Sequence, residues 1–417
     1  MDNRIDKNRQ YYKFCLYGFL KNLRFFDAFL VLFFLEKGMD FLMIGVLYSI
    51  REITLAITEI PSGVVADALG RRRTLVTSFV LYILSFILFY LANHFLWFAA
   101  AMFVFAIGDA FRTGVHKAMI FDYLKRNNRE KQKVDYYGHT RSWSQAGTAL
   151  SSLIAGFIVF YTGSFRLIFP ATVIPYIVDM FLVWSYPKYL DGKNIPFSAS
   201  LIVKEFKEVI NAFFLSFRKL TFIRVLTSSS LYTGYYRAVK DYIQPLLKQY
   251  ALALPVLAFL TNDQKVAVTV GSIYFVIYLL TAIASHNAGR FTALFPDYFK
   301  TMNLTIVVGL FAGIMTGIVF SMDLYVAAIV GFLVILIIEN LRKPVGVALV
   351  ANLSKQKAWA TTLSASSQAK SLITAMLAPL IGWLADKINP GSGIAIATLL
   401  LLLLFPVYLL KAKKKTT

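Results

Sequence analysis

Charged residues are scarce in this chain of 417 residues: they make up 16% of the sequence, whereas hydrophobic residues make up 58%. A soluble globular protein carries roughly 25% charged residues, which it needs to cover its surface with groups that water can solvate. The composition therefore excludes a soluble globular protein and predicts that most of the surface faces lipid.

Cysteine and histidine are almost absent as well. The single Cys15 excludes an intrachain disulfide and a cysteine-based zinc cluster, and four histidines spread over the chain do not favour a histidine-rich metal site. The sequence also lacks the nucleotide-binding motif Gly-x-x-x-x-Gly-Lys-Ser/Thr and the metalloprotease motif His-Glu-x-x-His. We therefore expect no catalytic residues, no metal and no cofactor, and an intramembrane enzyme is a disfavoured alternative.

Long apolar runs dominate the remaining sequence, and the mean hydropathy is +0.63. A helix needs about 20 mostly apolar residues to cross the roughly 30 Å hydrocarbon core of a bilayer. Twelve such runs lie near residues 15–36, 41–63, 74–93, 96–120, 141–162, 165–186, 223–247, 266–288, 302–321, 324–350, 357–384 and 391–410. They predict an all-α membrane protein with twelve transmembrane helices in two six-helix bundles. Residues 1–187 would form the first bundle, 188–222 a cytoplasmic linker and 223–417 the second bundle.

The loops between these runs carry most of their basic residues on one side. Twenty-six lysines and arginines lie on the side of both termini, against five on the other side: Lys37, Arg166, Lys248, Lys265 and Lys387. Because Lys and Arg accumulate in cytoplasmic loops, this bias predicts a protein of the inner, cytoplasmic membrane with both termini and the linker in the cytoplasm. The same bias accounts for the net charge of +21, so nucleic acid is not an expected partner.

The linker has a helical pattern of its own. Residues 201–214 alternate apolar and charged positions at helical spacing, which is typical of an amphipathic helix on the inner leaflet. A solvated helical linker between the two halves is an equal alternative.

The two halves of the chain repeat a pattern. Asp109 and Arg112 in the fourth span align without a gap with Glu339 and Arg342 in the tenth span. A Gly-Arg pair that follows the second span recurs after the eighth. These matches, in the same order and at near-constant offset, indicate a duplicated six-helix unit.

Residues 59–72 carry a family signature: they read Glu-Ile-Pro-Ser-Gly-Val-Val-Ala-Asp-Ala-Leu-Gly-Arg-Arg. This stretch resembles the loop between helices two and three of major facilitator superfamily transporters, in which a Gly, an Asp four residues later and a Gly three beyond it precede basic residues. The twelve spans and the cytoplasmic linker agree with the resemblance over essentially the whole chain. The helix-five pattern of drug–proton antiporters is absent, which weakens an assignment as a multidrug antiporter.

The resemblance implies a conformational latch formed by Gly63, Asp67, Gly70, Arg71 and Asp122. In the family, similar loops join the two halves in the outward-open state, with the Asp near the start of helix eleven. Asp67 would then face the segment that starts near Lys357, Arg71 would pair with Asp67, and Asp122 would extend the relay. The alternative is that the basic residues only anchor the topology.

Charged side chains in the middle of a span are costly unless they are paired or hydrated, so each is a candidate functional group. The substrate-binding candidates lie on spans one, four, seven and ten, which in the family line a central cavity: Arg24, Asp27, Asp109, Arg112, Tyr236, Arg237, Lys240, Glu339 and Arg342. Three acid–arginine pairs are spaced three residues apart, so each could form an ion pair on one helical face: Arg24–Asp27, Asp109–Arg112 and Glu339–Arg342. Structural pairing between helices is the alternative, and both interpretations stay open for Glu52, Asp179 and Lys370.

The expected function is alternating-access transport of a small polar or charged organic solute by a monomer in the lipid bilayer. Protons are the expected coupling ion, with Asp27, Glu339 or Asp109 as the carrier, and export is favoured on general family grounds. The alternatives are a proton-coupled importer and a lipid or lysolipid translocator on the same fold. A lipid substrate would need a cavity that opens sideways with an apolar wall, which the paired charges disfavour.

The topology has a direct test. Cysteines introduced singly at Lys131, Lys204 and Lys413 should react with a membrane-impermeant thiol reagent only from the cytoplasmic side. Cysteines at Asn93 and Asn389 should react only from outside. Opposite labelling of any two positions would contradict the twelve-span arrangement.

Overall fold

The computed structural model describes residues 7–129, 132–192, 220–295, 297–353 and 359–410, with six further residues between 200 and 211. Regular structure in these ranges is entirely helical. The first eight α-helices are α1 (Arg9–Leu20), α2 (Leu30–Glu36), α3 (Phe41–Leu69), α4 (Arg71–Leu91), α5 (Phe95–Arg112), α6 (Val115–Arg126), α7 (Lys133–Thr162) and α8 (Ile168–Trp184). The later ones are α9 (Leu220–Val239), α10 (Ile243–Ala253), α11 (Asn262–Ala293), α12 (Tyr298–Ser321), α13 (Tyr325–Leu353), α14 (Trp359–Lys387), α15 (Pro390–Leu403) and α16 (Phe405–Tyr408).

Seven helical segments of the described chain are long and apolar enough to cross a membrane: Phe41–Leu69, Arg71–Leu91, Phe95–Arg126, Tyr136–Thr162, Asn262–Ala293, Tyr298–Ser321 and Tyr325–Gly346. Two shorter apolar helices, α8 and α15, accompany them. Each of the twelve predicted spans overlaps at least one helix. The prediction of an all-α, multi-pass membrane protein is therefore confirmed.

The first predicted span is not one helix. Residues 21–29 form turns between α1 and α2. The Asn22 side-chain amide donates to the Gly18 carbonyl oxygen at 2.6 Å, and the Tyr176 hydroxyl donates to the Lys21 carbonyl oxygen at 3.0 Å. Side chains thus satisfy carbonyl groups that a further helical turn would otherwise use. A continuous helix over residues 15–36 was a wrong prediction.

The fourth and seventh spans are interrupted as well. Gly114 separates α5 from α6 with a φ of 80°, a conformation that glycine adopts without steric cost. In the seventh span, a 3₁₀ turn over Lys240–Tyr242 separates α9 from α10. Both breaks lie next to charged residues that the sequence analysis selected, Arg112 at the first break and Lys240 at the second.

The chain divides into two compact units. The first unit comprises Met1–Phe33, Ile57–Val203 and Pro255–Leu279, and the second comprises Phe34–Ala56, Lys204–Leu254 and Leu280–Thr417. The division into two six-helix bundles, residues 1–187 and 223–417, remains a prediction. Most of the expected amphipathic helix over residues 201–214 lies outside the described residues.

Close helix contacts within each unit depend on glycine. In the first unit, a Cβ on Gly147 of α7 would lie 2.4 Å from the Phe19 carbonyl oxygen of α1. In the second unit, a Cβ on Gly45 of α3 would lie 2.4 Å from the Ala378 carbonyl oxygen of α14. Side-chain carbons do not approach an oxygen so closely, so these helices touch through their backbones. Small residues allow the same close approach at helix interfaces in membranes generally.

The α1–α7 contact can be tested with two alanine substitutions on the same helix. Gly147→Ala should lower stability by about 1–3 kcal/mol, because the added methyl group forces α1 and α7 apart. Gly138→Ala is the matched control, since a Cβ there meets nothing within 4 Å. Thermal unfolding of the purified variants in detergent measures both. Equal unfolding temperatures for the two variants would contradict this packing.

Candidate functional site

Asp109 lies at the centre of a buried polar cluster in the first unit. The residue is 5% exposed and belongs to the last turn of α5. Its Oδ1 accepts hydrogen bonds from Arg112 Nη2 at 3.2 Å, from Arg24 Nη2 at 3.3 Å and from the Tyr82 hydroxyl. Arg112 Nε also donates to the Tyr82 hydroxyl oxygen at 2.8 Å. The ion pair expected between Asp109 and Arg112 is therefore present, within a larger network.

Arg24 reaches this cluster from the turn between α1 and α2. Its Nε donates to the Tyr176 hydroxyl oxygen at 3.0 Å, and its guanidinium carbon lies 5.3 Å from the centre of the Phe105 ring. Because residues 21–29 are not helical, Arg24 and Asp27 do not share a helical face, and that expectation was wrong. Asp27 is half-buried in the same turn and interacts electrostatically with Arg24.

In the second unit, Glu339 and Arg342 lie on α13 and are each 3% exposed. The expected ion pair between them does not form. Arg342 instead donates to the carbonyl oxygens of Met302 and Ser228, at 2.5 and 3.1 Å, and to Thr305 Oγ1 at 2.7 Å. These neutral acceptors lie on α12 and α9, so tertiary packing directs the guanidinium away from the carboxylate three residues earlier.

Glu339 is only partly satisfied. Its Oε1 accepts a hydrogen bond from Thr233 Oγ1 at 2.9 Å, whereas Oε2 is buried and has no hydrogen-bond partner among the described residues. The same holds for the hydroxyl groups of Ser228 and Ser229. A cavity with room for about one water molecule (about 10 Å³) lies beside them. Its lining consists of Ser229, Thr233, Met302, Arg342, Lys343, Gly346 and Lys370.

Two further predicted substrate residues of the second unit pair with carboxylates. Arg237 Nη1 lies 2.8 Å from Glu52 Oε2, and Glu52 is 3% exposed. Lys240 Nζ lies 2.6 Å from Asp241 Oδ1, and the Tyr48 hydroxyl donates to the other oxygen of Asp241 at 3.0 Å. The remaining candidate, Tyr236, is half-buried on α9 and directly precedes Arg237 in the sequence.

The predicted latch region has a different pairing from the one expected. Arg71 forms an ion pair with Asp122, whereas Asp67 is exposed at the last turn of α3. The expected pair of Arg71 with Asp67 is therefore corrected to Arg71 with Asp122. The segment near Lys357, which Asp67 was expected to face, lies outside the described residues. Gly63 is exposed as well.

The sequence analysis missed Asp191, in the 3₁₀ turn Lys188–Asp191 that follows α8. Its Oδ1 accepts a hydrogen bond from the backbone N–H of Arg72 at 2.9 Å, near the amino terminus of α4. Gly70 has a φ of 91°, and a Cβ there would lie 3.3 Å from the Asp191 side chain. A carboxylate is favoured at this position because helix amino termini carry unpaired N–H groups and a partial positive charge.

Tyr82 and Tyr176 were also missed. Both are fully buried and supply the hydroxyl groups that connect the arginines of the Asp109 cluster. Aromatic residues make up 16% of the chain, so tyrosines inside spans do not stand out. Their position at mid-span is the one available signal, because a phenol there needs a polar partner.

A family model for the Major Facilitator Superfamily matches residues 16–338. The chain belongs to the Major Facilitator Superfamily. A curated relative, the uncharacterized MFS-type transporter YxaM of Bacillus subtilis (strain 168), is 23% identical over 231 residues. That match covers 53% of this chain and 54% of the relative, so it spans about half the length of each protein.

Solved structures show the same fold. The crystal structure of the nucleoside transporter NupG is similar with a TM-score of 0.70 at 13% identity, and the match covers 97% of both chains. The structure of a POT family transporter in complex with 5-aminolevulinic acid is similar with a TM-score of 0.72 at 14% identity, covering 96% of both chains. At these identities the likeness shows the fold alone. Family membership and fold together identify this protein as a multi-pass membrane protein of the Major Facilitator Superfamily.

The Asp109 cluster has a stability test. Asp109→Ala should cost about 3 kcal/mol or more, because it leaves the buried guanidinium groups of Arg24 and Arg112 without their shared carboxylate. Asp67→Asn, at an exposed position, should change stability by about 1 kcal/mol or less. Denaturation of both variants in mixed micelles gives the two values. An Asp109→Ala variant as stable as the wild type would mean that the cluster contributes little to the free energy of unfolding.

Proposed function

We propose that this protein is a transporter that moves a small polar or charged organic solute by alternating access, with protons as the coupling ion. The observation that carries the proposal is the second oxygen of Glu339, which is buried without a hydrogen-bond partner among the described residues, beside a cavity lined by three basic side chains. Uncompensated polar groups at this depth are costly and mark solute or ion pathways in membrane proteins.

The charge balance of the cavity favours an anionic group on the solute. Arg342, Lys343 and Lys370 line it, and Glu339 is the carboxylate that interacts with all three. Arg342 is held by three neutral acceptors and supplies a fixed positive charge. A solute carboxylate or phosphate bound next to the cavity would be attracted by these basic side chains.

Proton coupling follows from the same arrangement. A solute anion bound near Lys343 and Lys370 would weaken their attraction for the Glu339 carboxylate and so favour its protonated form. Asp109 accepts hydrogen bonds from two guanidinium groups and a phenol, which favours its ionised form and suits it to holding Arg24 and Arg112 in position. Asp27 stays the alternative proton carrier. Export, expected on family grounds, and a monomeric state are predictions of the proposal. Import is the alternative, and joint binding of solute and proton at Glu339 favours import.

The latch is a further part of the proposal. Gly63, Asp67, Gly70, Arg71 and Asp122 would stabilise one conformation of the transport cycle. The Arg71–Asp122 ion pair and the contact of Gly70 with Asp191 support a structural role for this loop within the first unit. The exposed carboxylate of Asp67 would be the group of this loop that binds a partner segment in that conformation.

Transport can be tested in proteoliposomes that contain a pH-sensitive dye. A suitable panel consists of dipeptides, nucleosides, 5-aminolevulinic acid and a lysophospholipid. Solved structures of the same fold include a nucleoside transporter, a peptide transporter and a POT family transporter in complex with 5-aminolevulinic acid. Glu339→Gln should still bind the active compound but lose solute-driven proton movement by about tenfold or more, because an amide cannot carry the proton. Glu36→Gln is the matched control at an exposed position.

Three outcomes are informative. Proton movement that persists at the wild-type rate in Glu339→Gln would contradict the assignment of the proton to this residue. Transport without any proton movement in the wild type would contradict proton coupling. Activity on the lysophospholipid alone would favour the lipid translocator over the polar-solute transporter.

A further inference from the structure

Helix α8 has two chemically different faces. Ile174, Val178 and Phe181 are 67%, 50% and 63% exposed, and their spacing places them on one face, where they can contact lipid. Tyr176 and Asp179 lie on the opposite face and are both 0% exposed. The helix therefore directs a carboxyl group into the interior of the first unit.

The Asp179 carboxyl group is not satisfied by hydrogen bonds. Neither oxygen has a hydrogen-bond partner among the residues that the structure describes. A charged carboxylate without such partners costs far more to bury than a neutral carboxylic acid. Aspartate is rarely fully buried unless it is paired, so Asp179 needs an explanation that packing alone does not give.

Two cations and two tyrosines interact electrostatically with Asp179. Lys21, which follows α1, and Arg112 at the end of α5 are the cations that act on it. Arg112 is already bound to Asp109 and Tyr82. Tyr17 of α1 and Tyr186, which follows α8, interact electrostatically with Asp179. Tyr136 of α7 interacts with Tyr186, Tyr82 of α4 with Tyr176, and His116 of α6 with Lys21. Neither cation lies within ion-pair distance of the Asp179 carboxyl group.

Tyr186, His116 and Tyr17 form a group of polar side chains near the end of α8. The Tyr186 hydroxyl contacts His116 Nε2 at 3.3 Å and donates to the Lys13 carbonyl oxygen at 3.3 Å. The His116 ring stacks on the Tyr17 ring with 3.6 Å between centres. The Tyr17 hydroxyl is buried and has no hydrogen-bond partner within the described part of the chain. Tyr17 and Tyr186 both interact electrostatically with Asp179.

We propose that Asp179 is a proton-binding site inside the first unit, protonated at neutral pH and deprotonated when Lys21 approaches the carboxylate. On release, the O–H bond of the carboxylic acid breaks, the proton passes to water, and the carboxylate is compensated by the Lys21 ammonium group. On uptake, a hydronium ion returns the proton to the same oxygen. The use of this site in transport rests on the proton coupling proposed above, whereas the protonation of Asp179 does not.

Infrared difference spectroscopy on the full chain in liposomes tests the site without any solute. A pH change from neutral to alkaline should remove a carbonyl-stretch band of a protonated carboxylic acid, since exposed carboxyl groups are already ionised at neutral pH. This band should be missing in Asp179→Asn. Asp263→Asn, at an exposed position, is the matched control and should keep the band. Asp179→Glu should keep a band at a shifted frequency, which separates loss of the proton from loss of the fold.

A second variant tests the role of the neighbouring cation. In Lys21→Met the band should disappear at a pH about one unit higher than in the wild type, because the positive charge that favours the ionised form of Asp179 has been removed. An unchanged band in Asp179→Asn would overturn the proposal, since the signal would then belong to another group. A wild type without the band at neutral pH would overturn it as well, even if solute transport is coupled to protons through Glu339.

Discussion

The structure depends on one constraint: a charge inside a membrane protein has to be compensated by the protein itself. Lipid supplies no hydrogen bonds, so each buried ion needs a partner on a neighbouring helix. Asp109 meets the constraint with three donors from α4, α5 and the turn before α2. Arg342 meets it with three neutral oxygen atoms from α9 and α12. These contacts join neighbouring helices by directional hydrogen bonds, in addition to the apolar packing between them.

The interruptions of the helices follow from the same constraint. The turn over residues 21–29 brings Arg24 to Asp109, and the 3₁₀ turn Lys240–Tyr242 lies where Lys240 pairs with Asp241. A regular helix would hold such side chains at fixed spacing on one face.

The fold was predictable from the sequence because apolar runs long enough to span a bilayer are a strong local signal. The pairing of charges was not, because it depends on neighbours distant in the chain. Spacing alone suggested Arg24 with Asp27 and Glu339 with Arg342, yet the partners are Asp109 for the first arginine and carbonyl and hydroxyl oxygens for the second. Asp109 with Arg112 was predicted correctly, since both lie on the same regular turn of α5. The role of Asp191 could not be predicted from the sequence, because a single 3₁₀ turn is too short to show a periodic pattern of residues.

A double-mutant cycle measures most directly whether charges are compensated between helices. Arg24→Gln and Asp109→Asn, made singly and together, should show a coupling free energy of about 1–3 kcal/mol in denaturation experiments, as expected for groups in one hydrogen-bonded network. The same cycle between Arg24 and Asp27 should give a clearly smaller value. A negligible coupling with Asp109 and a large one with Asp27 would contradict the account.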